Sequence, residues 1–130
     1  MSYCFSKSVD SDFEATIQNV TEKLKEKGFG VLTEIDVQTT LKKKIDVDFY
    51  KYRILGACNP HFAHKALLEE DKVGVMLPCN VIVQQKTDSE QVEVSAVDPI
   101  SSMSAIQNEN LGEIAIEVRE LLKSVIDELQ

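Results

Sequence analysis

A strand with two apolar faces constrains the fold of this chain more than any other feature. Residues 52–58 read YRILGAC, and the side chains of a strand alternate between its two faces. One face carries Tyr52, Ile54, Gly56 and Cys58, and the other carries Arg53, Leu55 and Ala57. Because both sets are largely apolar, we expect this strand to be covered on both sides of its sheet. In a chain of 130 residues, the second cover can be another subunit.

Two long amphipathic helices are predicted, one between Ser11 and Gly28 and one over residues 111–129. In both segments apolar side chains recur every three or four residues, as on the buried face of a helix. Ser11 and Glu14 fit a capping box, and Gly28 can end the first helix in the left-handed region. Asn110 and Glu113 form a cap pair for the last helix, which we expect to pack on the protein's own sheet.

Period-two alternation and turn residues define the rest of the fold. Strands are predicted at residues 3–9, 30–35, 52–58, 80–86 and 91–97, and shorter helices at 37–44 and 60–69, with one helical turn after Asp98-Pro99. Residues 87–90 join the last two strands as a hairpin. The order β-α-β-(α)-β-α-β-β-α indicates an α+β single domain over residues 1–130. We expect a mostly antiparallel sheet with the two long helices packed on one face.

Composition excludes several classes of function. The net charge is −8, which disfavours nucleic-acid binding because phosphate contacts need a clustered positive surface. The one basic run, at residues 42–44, is read as the solvated end of a helix. No apolar run reaches the ~20 residues that cross a bilayer, and the first residues lack the pattern of a signal peptide. Three cysteines without a framework of short spacings favour the cytoplasm.

Cysteines and histidines are crowded into residues 53–83. Cys58 immediately precedes a helix that starts with Pro60, where free N–H groups and the helix dipole can lower the pKa of a thiol. Cys79 follows Pro78 at the start of another strand, and the sheet can bring it close to Cys58. Both cysteines can equally be small apolar fillers of the core.

Two chemical hypotheses follow from the histidines. Cys58, His61 and His64 form a Cys-x-x-His-x-x-His pattern to which Cys79 can add a fourth ligand for a tetrahedral metal. This metal signal is weak, since the paired Cys-x-x-Cys knuckles of structural zinc sites are lacking. In the second hypothesis Cys58 is a nucleophile and His64 its base.

Charged side chains at strand ends give a third set of candidates. Glu34, Asp36 and Asp98 stand where a paired acid and base can form, and Arg53 can hold an anionic ligand. Structural ion pairs explain the same residues. The sequence has no Gly-rich phosphate loop, no nucleophile elbow and no Rossmann fingerprint.

Four linked motifs resemble a known family. They read GFGVLTEID at residues 28–36, YRILGACNP at 52–60, LPCNV at 77–81 and VDP at 97–99. Together they are similar to the bacterial and archaeal family called domain of unknown function 302. The resemblance implies a TATA-binding-protein-like β-α-β(4)-α fold that forms a homodimer, and it brings no established activity. It marks as motif residues Glu34, Arg53, Cys58-Asn59-Pro60, Pro78-Cys79-Asn80 and Asp98-Pro99, and it leaves out His61.

We therefore expect a homodimer that binds a small molecule near the ends of the strands that carry Cys58 and Cys79. The candidate ligand-binding residues are Glu34, Arg53, Cys58, Asn59, His64, Cys79, Asn80 and Asp98. The alternatives are an enzyme that uses the Cys58 thiolate or a carboxylate such as Glu34, and a metal-binding protein. The sequence identifies no cofactor and no reaction.

Overall fold

Five strands form a single antiparallel sheet in a computed structural model that describes residues 2–130. The strands are β1 (Cys4–Val9), β2 (Gly30–Asp36), β3 (Lys51–Cys58), β4 (Cys79–Gln85) and β5 (Val92–Val97). Their order across the sheet is β1-β5-β4-β3-β2, and each neighbouring pair is antiparallel. The predicted strands and the hairpin between β4 and β5 are confirmed.

Five α-helices and one 3₁₀ turn connect these strands. The helices are α1 (Phe13–Glu26), α2 (Val37–Ile45), α3 (Pro60–Glu69), α4 (Pro99–Ser102) and α5 (Glu109–Asp127), with the 3₁₀ turn at Asp71–Met76. Leu24 of α1 and Leu122 of α5 are fully buried in one core together with Leu55 and Val81 of the sheet. Both long helices therefore pack on the same face, so the predicted α+β class is confirmed. Each helix of residues 2–130 is too short or too polar to span a bilayer.

Both predicted helix caps are displaced by one or two residues. Asp12, and not Ser11, caps α1, because its Oδ1 accepts the Ala15 N–H at 2.8 Å. Asn108, and not Asn110, caps α5 through its Oδ1, which accepts from the N–H groups of Asn110 and Leu111. In each case a partner in another element holds a predicted capping residue: Glu14 binds a strand arginine, and Asn110 binds Glu69 of α3.

Two glycines are required by their surroundings. Gly28 ends α1 with a φ of 88°, as predicted from its position after the helix. Gly56 lies in β3 under the side chains of Thr33 and Pro78. A Cβ at residue 56 would overlap Thr33 Oγ1 and lie 2.8 Å from Pro78 Cγ, so any side chain there would displace its neighbours. The structure thus gives Gly56 and Pro78 a packing role at the end of the sheet.

Strand pairing separates the residues of the two sheet faces. Direct cross-strand partners share a face. The row on the helix-covered face runs through Glu34, Leu55, Val81, Ala96 and Phe5, and the adjacent row on the other face runs through Ile35, Ile54, Ile82, Ser95 and Ser6. Ile54 and Ile82 belong to neither apolar core of residues 2–130. The second face therefore keeps an isoleucine row, consisting of Ile35, Ile54 and Ile82.

Candidate ligand-binding site

A small apolar cavity lies where β3 ends and β4 begins. The sheet contributes Ala57, Cys58 and Cys79 to its wall, the start of α3 contributes Asn59, Phe62, Ala63 and Ala66, and the C-terminal helices contribute Pro99, Met103, Ala115 and Val118. Its volume is about 30 Å³. A buried water needs at least roughly 10–15 Å³, so the cavity has space for only one or two waters.

Local sequence explains how the wall is built. The residue before a proline favours extended backbone, and Asn59 has a φ of −98° and a ψ of 107°. The strand therefore stops at Cys58, and α3 starts at Pro60, where the missing N–H costs nothing. Phe62 and Ala66 are four residues apart and lie on the same face of α3. The small side chains of Ala66 and Ala115 leave the space that forms the cavity.

Asn59 is the most unusual polar residue of this wall. It stands at the N-cap position of α3, but its side chain makes no bond to that helix; instead its Nδ2 donates to Lys27 O at 3.5 Å. The residue is only 9% exposed. Its Oδ1 is buried and has no hydrogen-bond partner among the described residues. A buried acceptor left unpaired costs about 1–3 kcal/mol.

The two cysteines lie at the same end of the sheet. Cys79 pairs directly with Ala57, the residue before Cys58. Burial raises the pKa of the Cys79 thiol to about 11, with a smaller contribution from the neighbouring Cys58. Cys79 is therefore a neutral thiol at neutral pH, which makes it a poor nucleophile and a weak metal ligand. Cys58 is free and half-buried.

The histidines do not join the cavity. His61 and His64 are both exposed on α3, and neither belongs to the cavity wall. No cluster of three or more His, Cys, Asp or Glu side chains that could hold a metal occurs within residues 2–130. The fold therefore does not assemble the ligand set Cys58, His61, His64 and Cys79, because a helix face directs the histidines to solvent.

Arg53 and Glu34 form a separate ionic cluster. Arg53 Nη1 lies 2.6 Å from Glu34 Oε1, and its Nη2 lies 3.2 Å from Glu14 and 3.6 Å from Asp36. Arg53 precedes Cys58 by five residues on β3, which separates their Cα atoms by roughly 17 Å. The cluster joins α1, β2 and β3 and does not belong to the cavity.

Asp98 and Asn80 also lie outside the cavity. Asp98 is buried and caps α4 through Oδ1, which accepts from Ile100 N–H at 3.0 Å. Its Oδ2 accepts from Arg119 Nε of α5 at 3.3 Å. Asn80 is exposed beside Gly56 on the face away from the helices. Of the eight candidate residues, the fold brings Cys58, Asn59 and Cys79 together at the cavity, and it pairs Glu34 with Arg53 away from it.

Much of the cavity wall comes from helix residues that the sequence did not single out. The spacing of Phe62 and Ala66 on α3, and of Ala115 and Val118 on α5, predicts a buried face for each helix. That spacing does not indicate that these two faces meet at the end of β3. The contact depends on how α3 packs against α5, which is a tertiary property.

The fold first defines a class: α+β proteins with one antiparallel sheet and two long helices on one face, consistent with the TATA-binding-protein-like β-α-β(4)-α arrangement. The chain belongs to the family described as Domain of unknown function DUF302, whose model matches residues 5–129. The crystal structure of an uncharacterized conserved DUF302 protein from Bacillus stearothermophilus matches it with a TM-score of 0.92 at 28% sequence identity, over 100% of both chains. No curated protein matches the chain. The resemblance in the four motifs is thus confirmed, and it brings a fold without an activity.

Proposed function

We propose that this protein binds a small, largely apolar molecule in the cavity beside Cys58, Asn59 and Cys79. The observation that carries the proposal is the apolar cavity at the end of the sheet, whose wall includes these three residues. Small-molecule sites are mostly apolar and contain a few polar groups that orient the ligand.

Ligand entry requires the cavity to widen. Its volume of about 30 Å³ is well below the ~300 Å³ at which drug-sized pockets begin. The wall formed by α3 is the one suited to move, because its buried Ala66 packs in a small cluster with Val73 and Leu111, and of its side chains only the half-buried Phe62 packs against the main core. Leu67 and Leu68 on the same helix are exposed. Outward movement of α3 would enlarge the cavity and leave the sheet unchanged.

The geometry supports binding over thiol catalysis. A catalytic thiol needs a base or a lowered pKa. The Cys79 pKa is raised to about 11. His64, the candidate base for Cys58, faces solvent, and Glu34, the candidate catalytic carboxylate, is bonded to Arg53. Neither Glu34 nor His64 therefore lies in the cavity wall, where it could assist a nucleophilic reaction of Cys58.

Binding is tested by screening fragments against the full chain and a variant with a filled cavity. Ala115→Leu adds three carbons at a buried wall position, and Ala105→Leu makes the same change at an exposed site. We expect hits that perturb the amide resonances of cavity residues in the wild type and in Ala105→Leu, and that are lost in Ala115→Leu. Native mass spectrometry of protein purified under reducing conditions reports any ligand carried through purification. Hits that survive in Ala115→Leu would place binding elsewhere and refute the proposal.

We also propose that the protein is a homodimer in which the isoleucine row is covered by a second copy. Ile54 and Ile82 of this row lie on central strands but pack in neither core of residues 2–130, and Ile35 is 47% exposed. Removing such apolar area from water is the usual driving force of subunit association. The sheet face opposite the helices is thus our proposed interface.

Sedimentation velocity tests this interface with two matched variants. Ile35→Lys places a charge in the isoleucine row, and Ile116→Lys places the same charge on α5 at a residue that is 53% exposed. We expect the wild type and Ile116→Lys to sediment as dimers and Ile35→Lys to sediment as a monomer. A wild-type monomer at micromolar concentration would refute the homodimer, and a dimeric Ile35→Lys would place the interface elsewhere.

We propose, finally, that the protein resides in a reducing compartment such as the cytoplasm. The three cysteines are free thiols, with Cys79 buried and the other two half-buried. Free thiols persist where glutathione and thioredoxin keep proteins reduced. We expect three titratable thiols in denatured protein isolated from its native host without added reductant. A smaller number would contradict this compartment.

A further inference from the structure

We propose a second ligand site, for a small molecule with an apolar body and a positively charged amine, in the groove between residues 100–106 and the first two turns of α5. This site goes beyond the proposed cavity. Its volume is about 420 Å³, and small-molecule sites hold roughly 300–1,000 Å³. Ile100 and Ile116 line the groove, and both are exposed. Large apolar side chains that stay exposed in a concave site indicate a binding surface.

The rim of this groove is acidic. Glu109 and Glu113 are the charged residues of its wall, and both are exposed. The ion pairs that α5 makes within residues 2–130 all involve residues 119–127, which leaves both glutamates without a cationic partner in that part of the chain. An apolar groove with two unpaired carboxylates at its rim complements an apolar molecule that carries a cation.

The helix itself does not explain both carboxylates. Glu109 is the first residue of α5, where the helix dipole favours a negative charge. Glu113 lies one turn further, where this effect has faded. Because the two residues are four apart, they lie on the same helix face and repel each other. A cation bound beside both would remove that repulsion.

An anionic ligand is disfavoured, although the start of a helix commonly binds anions. The Asn108 side chain accepts from the N–H groups of Asn110 and Leu111, and its main-chain oxygen accepts from the Gly112 N–H. These donors at the start of α5 are therefore already occupied. An anion in the groove would meet the two carboxylates without these N–H groups to bind it.

Gly112 supports close approach of a ligand to the backbone. It is the fourth residue of α5 and lines the groove. Glycine inside a helix is destabilising relative to alanine. A Cβ at this residue would meet no heavy atom of residues 2–130 within 4 Å outside its own stretch of helix, so no neighbour requires a glycine. An external molecule that lies against the helix gives the residue a role.

The volume limits the apolar body to about one substituted ring, since a cavity of ~150 Å³ already holds benzene. Phenethylammonium and phenethyl alcohol are a matched pair of probes that share such a body and differ in the charged group. Both are titrated at neutral pH into the wild-type chain and three variants, with amide chemical shifts as the readout. The variants are Glu109→Gln/Glu113→Gln, Gly112→Leu and a control, Gly74→Leu, which makes the same change at an exposed glycine outside the groove.

We expect both probes to shift the amide resonances of Gly112 and Ile116 in the wild type. The preference for the cation, taken as the ratio of the two dissociation constants, should fall about fivefold or more in Glu109→Gln/Glu113→Gln, as loss of two exposed charge contacts predicts. Comparing ratios cancels the different hydration of the probes. Gly112→Leu should lose both probes, and Gly74→Leu should keep them.

Several outcomes would overturn the inference. A ratio unchanged by the glutamine variant would refute the cation requirement, and binding that survives in Gly112→Leu would refute the groove. Shifts confined to Ala57 and Cys79, which line only the cavity, would support the proposed function and refute this second site. Wild-type protein that binds neither probe at millimolar concentration would refute the groove alone, because the cavity is tested by its own fragments.

Two controls complete the test. Shifts of Gly112 and Ile116 that follow protein concentration in the absence of probe would identify a second copy as the occupant and refute a small-molecule site. The urea midpoint of Gly112→Leu should equal or exceed that of the wild type. A lower midpoint would give Gly112 a structural reason and refute its role in ligand approach.

Discussion

Asp98 provides the sharpest test of how the C-terminal helices are held on the sheet. Its Oδ1 caps α4 through the Ile100 N–H, and its Oδ2 accepts from Arg119 of α5. The Asp98 main-chain N–H also donates to Tyr3 O at 2.8 Å, which fixes the end of β5 beside β1. A single carboxylate therefore connects the sheet, α4 and α5, and α4 provides Pro99 to the cavity wall.

Removing this carboxylate should cost about 2–3 kcal/mol of unfolding free energy. Loss of an N-cap costs ~1 kcal/mol. The ion pair is worth ~1–2 kcal/mol, a value between exposed and fully buried pairs, because Asp98 is buried while the Arg119 side chain is 31% exposed. Asp98→Asn keeps the cap acceptor and loses only the charge, so it should cost ~1–2 kcal/mol. Asp98→Ala loses both.

Urea unfolding followed by far-UV circular dichroism measures these differences, since the chain has no tryptophan for fluorescence. Arg119→Leu combined with Asp98→Asn tests the pair directly: the double variant should be less destabilised than the sum of the single variants, by about the ion-pair energy. Equal losses for Asp98→Asn and Asp98→Ala would refute the capping contribution. If the destabilisation of the double variant equals the sum of the two single variants, the contribution of the ion pair to stability is refuted.

Three further predictions concern the surroundings of the cavity. Gly28→Ala should lose ~1–2 kcal/mol, because its φ of 88° strains any side chain; an unchanged urea midpoint would contradict this. Gly56→Ala should lose ~1–3 kcal/mol of unfolding free energy, because the new side chain overlaps Thr33 and Pro78. The double variant Gly56→Ala/Thr33→Ala should recover part of that loss. Full loss in the double variant would show that the Thr33 contact is irrelevant. The raised pKa of Cys79 keeps its thiol protonated in the folded chain. The contribution of this thiol to the unfolding free energy is therefore complete below the unfolded-state pKa of ~8.5, and it is lost as pH rises through about 11. Mass spectrometry after alkylation of the native protein at pH 8 should find Cys79 unmodified, and rapid modification would contradict its burial.

Capping shows where local sequence reasoning stops being sufficient. The existence of α1 and α5 follows from apolar spacing, and Gly28 follows from the backbone that a helix end needs. The choice between Ser11 and Asp12 as the cap depends on Glu14, which binds Arg53 in another element. The boundaries of a helix depend both on local hydrogen bonds and on partners in other elements. Only the local hydrogen bonds can be inferred from a sequence.

The candidate site divides in the same way. The sequence alone predicts that Cys58, Asn59 and Cys79 lie close together, because adjacent residues and neighbouring strands leave little freedom at a strand end. It could not separate them from Glu34, Arg53 and Asp98, since those residues carry equally suggestive chemistry. In the folded chain these three side chains are held in ionic or capping contacts away from the cavity.

The sequence by itself determined the secondary structure, the α+β class and the family, because periodicity, glycines, prolines and motif spacing are local properties. Tertiary structure alone decided that α3 and α5 enclose a cavity, that the Asn59 amide turns away from its helix toward Lys27, and that its oxygen is left without a partner among residues 2–130. These features depend on distances between segments far apart in the chain. Such distances follow from the packing of the whole core and are absent from any local pattern.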